Sequence, residues 1–240
     1  MKKFPILEVF GPTIQGEGMV IGQKTMFIRT AGCDYACDWC DSAFTWDGSG
    51  KEDIRMMTAV EIWEELHRIG GHHFSHVTIS GGNPALLPHL GELLEIFKDN
   101  GITSALETQG SRWQDWFLQI DELTISPKPP SSKMRVNIEV LDEILVTLQR
   151  ENVNTSLKVV IFDLEDLQFA TGIHQKYPKI PFFIQTGNRS ITEADNQKLI
   201  AELMQNYQWL IDQVMKSTQL NDVRVLPQLH TYVWGNKRGV

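Results

Sequence analysis

The chain alternates short apolar runs with longer stretches of helical period. Candidate strands are TMFIRT (25–30), HVTIS (76–80), ITSALE (102–107), ELTIS (122–126), SLKVVIF (156–162), PFFIQT (181–186) and DVRVLP (222–227). Most are apolar at consecutive positions, the pattern of strands covered on both faces of a parallel sheet. Between them the spacing predicts helices. Thr58 with Glu61 forms a capping box ahead of VEIWEELHRI, and segments 84–100, 137–150 and 165–177 are further helix candidates. In 192–216, Leu199, Leu203, Leu210 and Val214, with Ile200, Met204, Tyr207 and Ile211, form a helical stripe. Repeated strand–helix units predict an α/β barrel or an open doubly wound sheet.

The residues that follow the strands help choose between these. They read RTAGC, SGGN, ETQG, SPK, QTGN and PQLH, all polar or glycine-rich. A parallel barrel gathers such ends on one rim, whereas an open sheet concentrates ligands at one switch point. The pattern favours a barrel or partial barrel, with ordinary turns as the plain alternative. At 240 residues, 42% hydrophobic and 22% charged, the chain is expected to form a single domain over 1–240. The net charge of −8 argues against a phosphate-backbone partner, so no nucleic acid is expected. No stretch approaches the roughly 18 apolar residues that span a membrane. The N-terminal apolar run is broken by Glu8 and Pro12, too short for a signal peptide, and a cytoplasmic location is expected.

Candidate chemistry is concentrated in AGCDYACDWCDS, where Cys33, Cys37 and Cys40 are all the cysteines of the chain. A tight, odd-numbered set in a reducing compartment points to metal or redox chemistry rather than disulfides. Structural zinc takes four protein ligands, and His72, His73 or His76 would have to complete such a site. An iron–sulfur cube held by three thiolates instead leaves one iron open to a small molecule.

The spacing C-x3-C-x2-C, with the aromatic Trp39 before the last cysteine, resembles the motif of the radical S-adenosylmethionine (SAM) enzymes. The resemblance implies a [4Fe–4S] cluster on Cys33, Cys37 and Cys40 within a loop spanning 31–48, and SAM cleaved at the open iron to a 5′-deoxyadenosyl radical. SGGNP (80–84) looks like the superfamily's GGE segment, whose backbone meets the SAM amino group; Asn83 stands where glutamate is usual. Alone, that stretch reads as a turn.

PTIQGEG (12–18), FIRTAGCDYACDWCDS, LETQG, SPKPPSSK and PQLHTYVWGNKRGV together closely resemble the 7-carboxy-7-deazaguanine synthases of queuosine and deazapurine biosynthesis, from Phe10 to Val240. This implies a lyase that contracts 6-carboxy-5,6,7,8-tetrahydropterin to 7-carboxy-7-deazaguanine with loss of ammonia. Hydrogen abstraction from C6, ring rearrangement, hydrogen return and elimination are the implied steps, with SAM regenerated and Mg2+ assisting. An external electron donor such as flavodoxin and a homodimer are also implied. By the resemblance, Asp38, Trp39, Cys40, Gly82, Ser126, Pro127 and Lys128 meet SAM, Ile14, Gln15, Gly16, Ser80 and the Val240 carboxylate meet substrate, and Ser42 ligates Mg2+. From sequence alone Asp41 is a rival metal ligand. On physical grounds Arg29 is a bidentate fork suited to the substrate carboxylate. Glu17, Gln15, Glu107 and Gln109 can complement the donor array and carbonyl of a pterin edge. A structural ion pair is the plain alternative for Arg29 and Glu107. His230, near Gln228 after the last strand, either bonds substrate or caps a strand. Trp46 is expected to cover the cluster, and Trp63, Trp113, Trp116, Trp209 and Trp234 to pack in core or interface. Another radical SAM enzyme, such as a glycyl-radical activase, is the alternative reading.

Overall fold

The computed structural model describes residues 2–240. One sheet contains β1 (Phe4–Ile14), β2 (Lys24–Thr30), β3 (Arg55–Met57), β4 (His76–Gly81), β5 (Thr103–Thr108), β6 (Glu122–Ile125), β7 (Thr155–Ile161), β8 (Phe182–Thr186) and β9 (Arg224–Leu226). The helices are α1 (Ala59–Gly70), α2 (Gly91–Asp99), α3 (Ile138–Arg150), α4 (Leu164–Lys176), α5 (Asn196–Met215) and α6 (Leu229–Trp234). The strand order is β3-β1-β2-β4-β5-β6-β7-β8-β9; β1 is antiparallel to both neighbours, and every pair from β2 onward is parallel. From β2 the parallel strands follow one another without reversal, so the sheet has no switch point of the doubly wound kind. Its ends, β3 and β9, do not pair, which makes it an open, partial barrel.

Two faces of this sheet have opposite chemistry. Ile28 neighbours Ile79, Leu106 neighbours Leu123, Ile125 neighbours Leu157 and Val159 neighbours Ile184, all in the buried apolar core. The alternate positions carry Arg29 beside Ser80, Glu107 beside Thr124, Thr124 beside Ser156, and then Lys158. Since side chains alternate along a strand, this second set lines the inner face. The apolar runs are thus covered on both sides, but polar residues cover the inner side.

Helix starts follow their caps. Thr58 Oγ1 accepts from Glu61 N at 3.2 Å while Glu61 Oε2 accepts from Thr58 N at 2.7 Å, the expected capping box. Asn137 and Asp195 cap α3 and α5 from one side only, their side chains accepting from first-turn backbone N–H groups. Some elements differ from the sequence expectation. The segment 84–100 is helical only from Gly91, because Pro84 and Pro88 divert its first part into a 3-10 turn at Pro84–Leu86. In α5, Leu199, Leu203, Leu210 and Val214 are buried, whereas Met204 is exposed. Strands β1 and β3 and helix α6 were not expected. Pro5, Gly11, Pro12 and register shifts between Ile6 and Glu8 and between Phe10 and Thr13 interrupt the alternation that marks a strand. Among the described residues, no helix is long and apolar enough to cross a membrane.

Candidate active site

A cavity of about 280 Å³ opens where the parallel strands end. Its lining draws on β1 and β2 with their connecting loop, the cysteine loop, the ends of β4, β5, β7 and β8, and the segment from Gln228 to Val240. The β1–β2 loop folds across the inner face, since its 3-10 turn at Gly18–Val20 touches β6, β7 and β8. That fold carries Gln15, Gly16 and Glu17 into the cavity. Gln15 Oε1 accepts from Gly16 N at 2.7 Å and Glu17 N at 3.2 Å, which fixes the turn and leaves its amide nitrogen available. Gly16 cannot carry a side chain, because a Cβ there would stand 2.3 Å from His230 Nδ1. This close approach sets α6, and with it His230, against the loop.

The three cysteines share the cavity's mouth and are free thiols. Cys33 Sγ accepts from Tyr35 N at 3.4 Å and from Gln109 Nε2 at 3.7 Å, and Cys40 Sγ accepts from Trp46 Nε1 at 3.5 Å. Donors aimed at sulfur suit thiolates holding an iron–sulfur cluster, so these residues fit that group. Burial pushes the Cys37 thiol up to about 11, against the nearby Lys128 cation, and raises Cys33 as well. A cation must therefore displace their protons on binding. The histidines do not complete a zinc site. His76 begins β4, at the far end from the cysteine loop, and bonds Thr25 Oγ1 at 2.7 Å and Glu122 Oε2 at 3.0 Å.

At the cavity floor Lys158 is 1% exposed, its Nζ 2.6 Å from Glu17 Oε2 and 2.7 Å from Glu107 Oε1. Burial opposes the charge on Glu17, but the Lys158 ammonium and then His230 outweigh it and hold its carboxyl far below the usual range. Burial likewise opposes the Lys158 charge, and Glu107 and Glu17 outweigh it, so its pKa rises. Gln228 Nε2 donates to the other Glu17 oxygen at 2.9 Å, leaving its own Oε1 buried without a partner. On the wall, Arg29 Nε donates to Glu8 Oε2 at 2.7 Å, and its guanidinium lies 5.6 Å from the Phe10 ring and 5.5 Å from the Phe44 ring. Arg238, near the chain end, bonds the other Glu8 oxygen.

Asn83 is fully buried and absent from the cavity lining. Its Nδ2 donates to Asp34 Oδ1 at 2.8 Å and Ser111 Oγ at 3.1 Å, and its Oδ1 accepts from Thr108 Oγ1 at 2.7 Å. Gln109 Nε2 donates to the same Asp34 oxygen at 2.6 Å. The amide therefore ties the cysteine loop to β4 and β5, a job no glutamate could do beside Asp34. Asn83→Asp should set two carboxylates face to face and cost about 1–3 kcal/mol. Iron content after reconstitution and Tm should both fall. The exchange Asp34→Asn with Asn83→Asp should recover much of the loss, and a double variant no better than the single would contradict the pairing.

The structure brings most of the expected residues together. Cys33, Cys37, Cys40, Ile14, Gln15, Gly16, Glu17, Arg29, Trp39, Ser42, Ser80, Gly82, Glu107, Gln109, Lys128, His230 and Val240 all line the cavity. Three do not. Asp38 turns outward to Lys133 at 2.8 Å, while Ser126 and Pro127 are buried behind Lys128, whose Nζ donates to Ser126 Oγ at 3.2 Å. Gln109 faces the cysteine loop rather than standing free for a pterin edge. Both Arg29 and Glu107 form the ion pairs given as their plain alternative, yet both still face the cavity. Ser42 Oγ donates to Asp41 Oδ1 at 3.1 Å, and ligand atoms of Asp41, Glu17 and His230 lie within 4.8 Å of one another. Sequence reading missed Lys158, although a single lysine inside the buried run SLKVVIF was its signal. It also missed Glu8, Asp34 and Arg238, whose partners lie far off along the chain.

Comparison with known proteins agrees with this geometry. Residues 27–161 match the radical SAM superfamily. The chain is 61% identical over 240 residues to 7-carboxy-7-deazaguanine synthase of Bacillus cereus, covering 100% of both chains. It is 64% identical over 241 residues to that of Bacillus subtilis, covering 100% of this chain and 99% of the relative. The crystal structure of QueE from Escherichia coli superposes with a TM-score of 0.64 at 21% identity, covering 95% of each chain, which is a likeness of fold. The chain belongs to the 7-carboxy-7-deazaguanine synthases, a family of radical SAM enzymes.

Proposed function

We propose that the protein converts 6-carboxy-5,6,7,8-tetrahydropterin to 7-carboxy-7-deazaguanine with release of ammonia, in a site held by the residues described above. One observation carries this reading: a single cavity is lined by three free cysteines, a guanidinium fork and two carboxylates on a buried lysine. A bound [4Fe–4S] cluster and SAM would supply the 5′-deoxyadenosyl radical, with Cys33, Cys37 and Cys40 holding the cluster.

The remaining work falls to side chains. Arg29 can exchange Glu8 for the substrate carboxylate, because Glu8 keeps Arg238 as a partner. Glu17 and Glu107 accept from the N–H groups of the pterin edge, and the free Gln15 amide and His230 complete the perimeter. Phe10, Phe27 and Phe44 line the wall near Arg29 and limit water there. Trp39 and Lys128 line the mouth where SAM would lie. A homodimer, an external donor such as flavodoxin and a single domain over 1–240 belong to the same reading.

Reconstituted protein should bind the carboxytetrahydropterin at least about tenfold more tightly than the same pterin without its carboxylate, the worth of one charge-assisted pair. Equal affinity would remove the role assigned to Arg29. For Mg2+, we assign Ser42 as ligand, with Asp41 placed to orient it. Ser42→Ala should raise the Mg2+ concentration needed for half-maximal rate several-fold while iron content stays at its wild-type value; an unchanged Mg2+ response contradicts the assignment.

A further inference from the structure

Lys158 lies at the cavity floor and has no role in the reading above. A lysine ammonium at 1% exposure is costly unless paired, and this one has two carboxylate partners at 2.6 and 2.7 Å. The partners come from separate parts of the fold: Glu17 from the β1–β2 loop and Glu107 from β5. Two part-buried carboxylates crowded on one site disfavour full ionisation without a cation between them, and a shared proton would make one of them a hydrogen-bond donor. A donor there clashes with the N–H groups of a cyclic guanidine-like edge.

We propose that Lys158 is a positioning and specificity-determining residue, its buried ammonium holding Glu17 and Glu107 side by side as two acceptor-only carboxylates for a ligand edge made of N–H donors. This rests on the reading of Glu17 and Glu107 as the contacts of the pterin edge. Besides Lys158, the titratable groups beside Glu17 are His230 from α6 and Asp41 from the cysteine loop. Gln228, also against Glu17, is neutral. The signs agree with a flat neutral range. The depressed Glu17 stays ionised until pH falls below the ordinary carboxylate range, and the raised Lys158 stays charged until pH exceeds the ordinary lysine range, roughly 4 and 10.

The test is the pH profile of kcat/KM in the reconstituted holoenzyme with carboxytetrahydropterin as the varied substrate. Lys158→Met should raise KM at least about tenfold at neutral pH and add an acid limb, the rate rising with pH as the shared proton leaves. The double variant Lys158→Met with Glu107→Gln, left with one carboxylate, should lose that limb. Lys158→Met with a wild-type profile, or a double variant that keeps the limb, overturns the proposal. Should Lys158→Met fail to fold, wild type and Glu107→Gln decide between pH 5 and 9: any limb in wild type that Glu107→Gln removes would also overturn it. Unchanged KM in both Glu17→Gln and Glu107→Gln would instead refute the substrate contacts on which the role of Lys158 rests, an outcome distinct from a wild-type profile in Lys158→Met.

Discussion

Cys37→Ala is expected to abolish turnover while leaving the fold in place. Activity should fall by more than about 10⁶, below detection, since radical generation has no slow substitute in this protein. The visible absorption of the cluster should disappear with it. The fold should survive because Cys37, though buried, lies outside the main apolar cluster and the loop is held by other bonds: Asp38 N to Ser132 O, Gly32 N to Thr45 O, and Asn83 N to Gly32 O. Losing one small buried side chain costs roughly 1 kcal/mol, a Tm shift of about 2–4 °C for a chain of this size. A variant that keeps full iron content and activity contradicts the cluster assignment. One that unfolds would mean that the loop does structural work.

Arg29→Lys is expected to have the next largest effect, mainly on KM. Lysine keeps the charge but loses the planar fork, and with it one charge-assisted bond to a carboxylate, worth about 1.5–3 kcal/mol. That corresponds to a rise in KM of roughly 10- to 150-fold, with kcat changed far less. Stability should fall by less than about 1 kcal/mol, because Glu8 retains Arg238 and the Arg29–Glu8 pair is partly exposed. Steady-state kinetics with the carboxylated pterin separate the two readings of this residue. An unaltered KM with a lowered Tm would make Arg29 a structural ion pair only.

Much of this architecture was legible in the chain. Thr58 and Glu61 announced a helix start because a capping box is local chemistry, and the cysteine spacing announced a metal loop for the same reason. The parallel strands were visible because the outer face of each is apolar. Less visible were features that depend on the inner face. The row Arg29, Ser80, Glu107, Thr124, Ser156 and Lys158 appears only when registers are known, since its members come from five strands. Asn83 illustrates the same limit: sequence likened the backbone of its segment to a SAM contact and gave the asparagine itself no role, and only the fold of the cysteine loop over β4 shows its amide bound to Asp34. The antiparallel β1 escaped because its prolines and register shifts hide the alternation.

The most direct measurement is anaerobic incubation of reconstituted protein with reductant, SAM, Mg2+ and 6-carboxy-5,6,7,8-tetrahydropterin, followed by mass spectrometry of the products. A cavity that pairs a cysteine loop with an arginine fork and two carboxylates on a buried lysine predicts 7-carboxy-7-deazaguanine and ammonia in equal amounts over many turnovers, with SAM largely retained. SAM cleavage by an intact cluster without any deazapurine would contradict it.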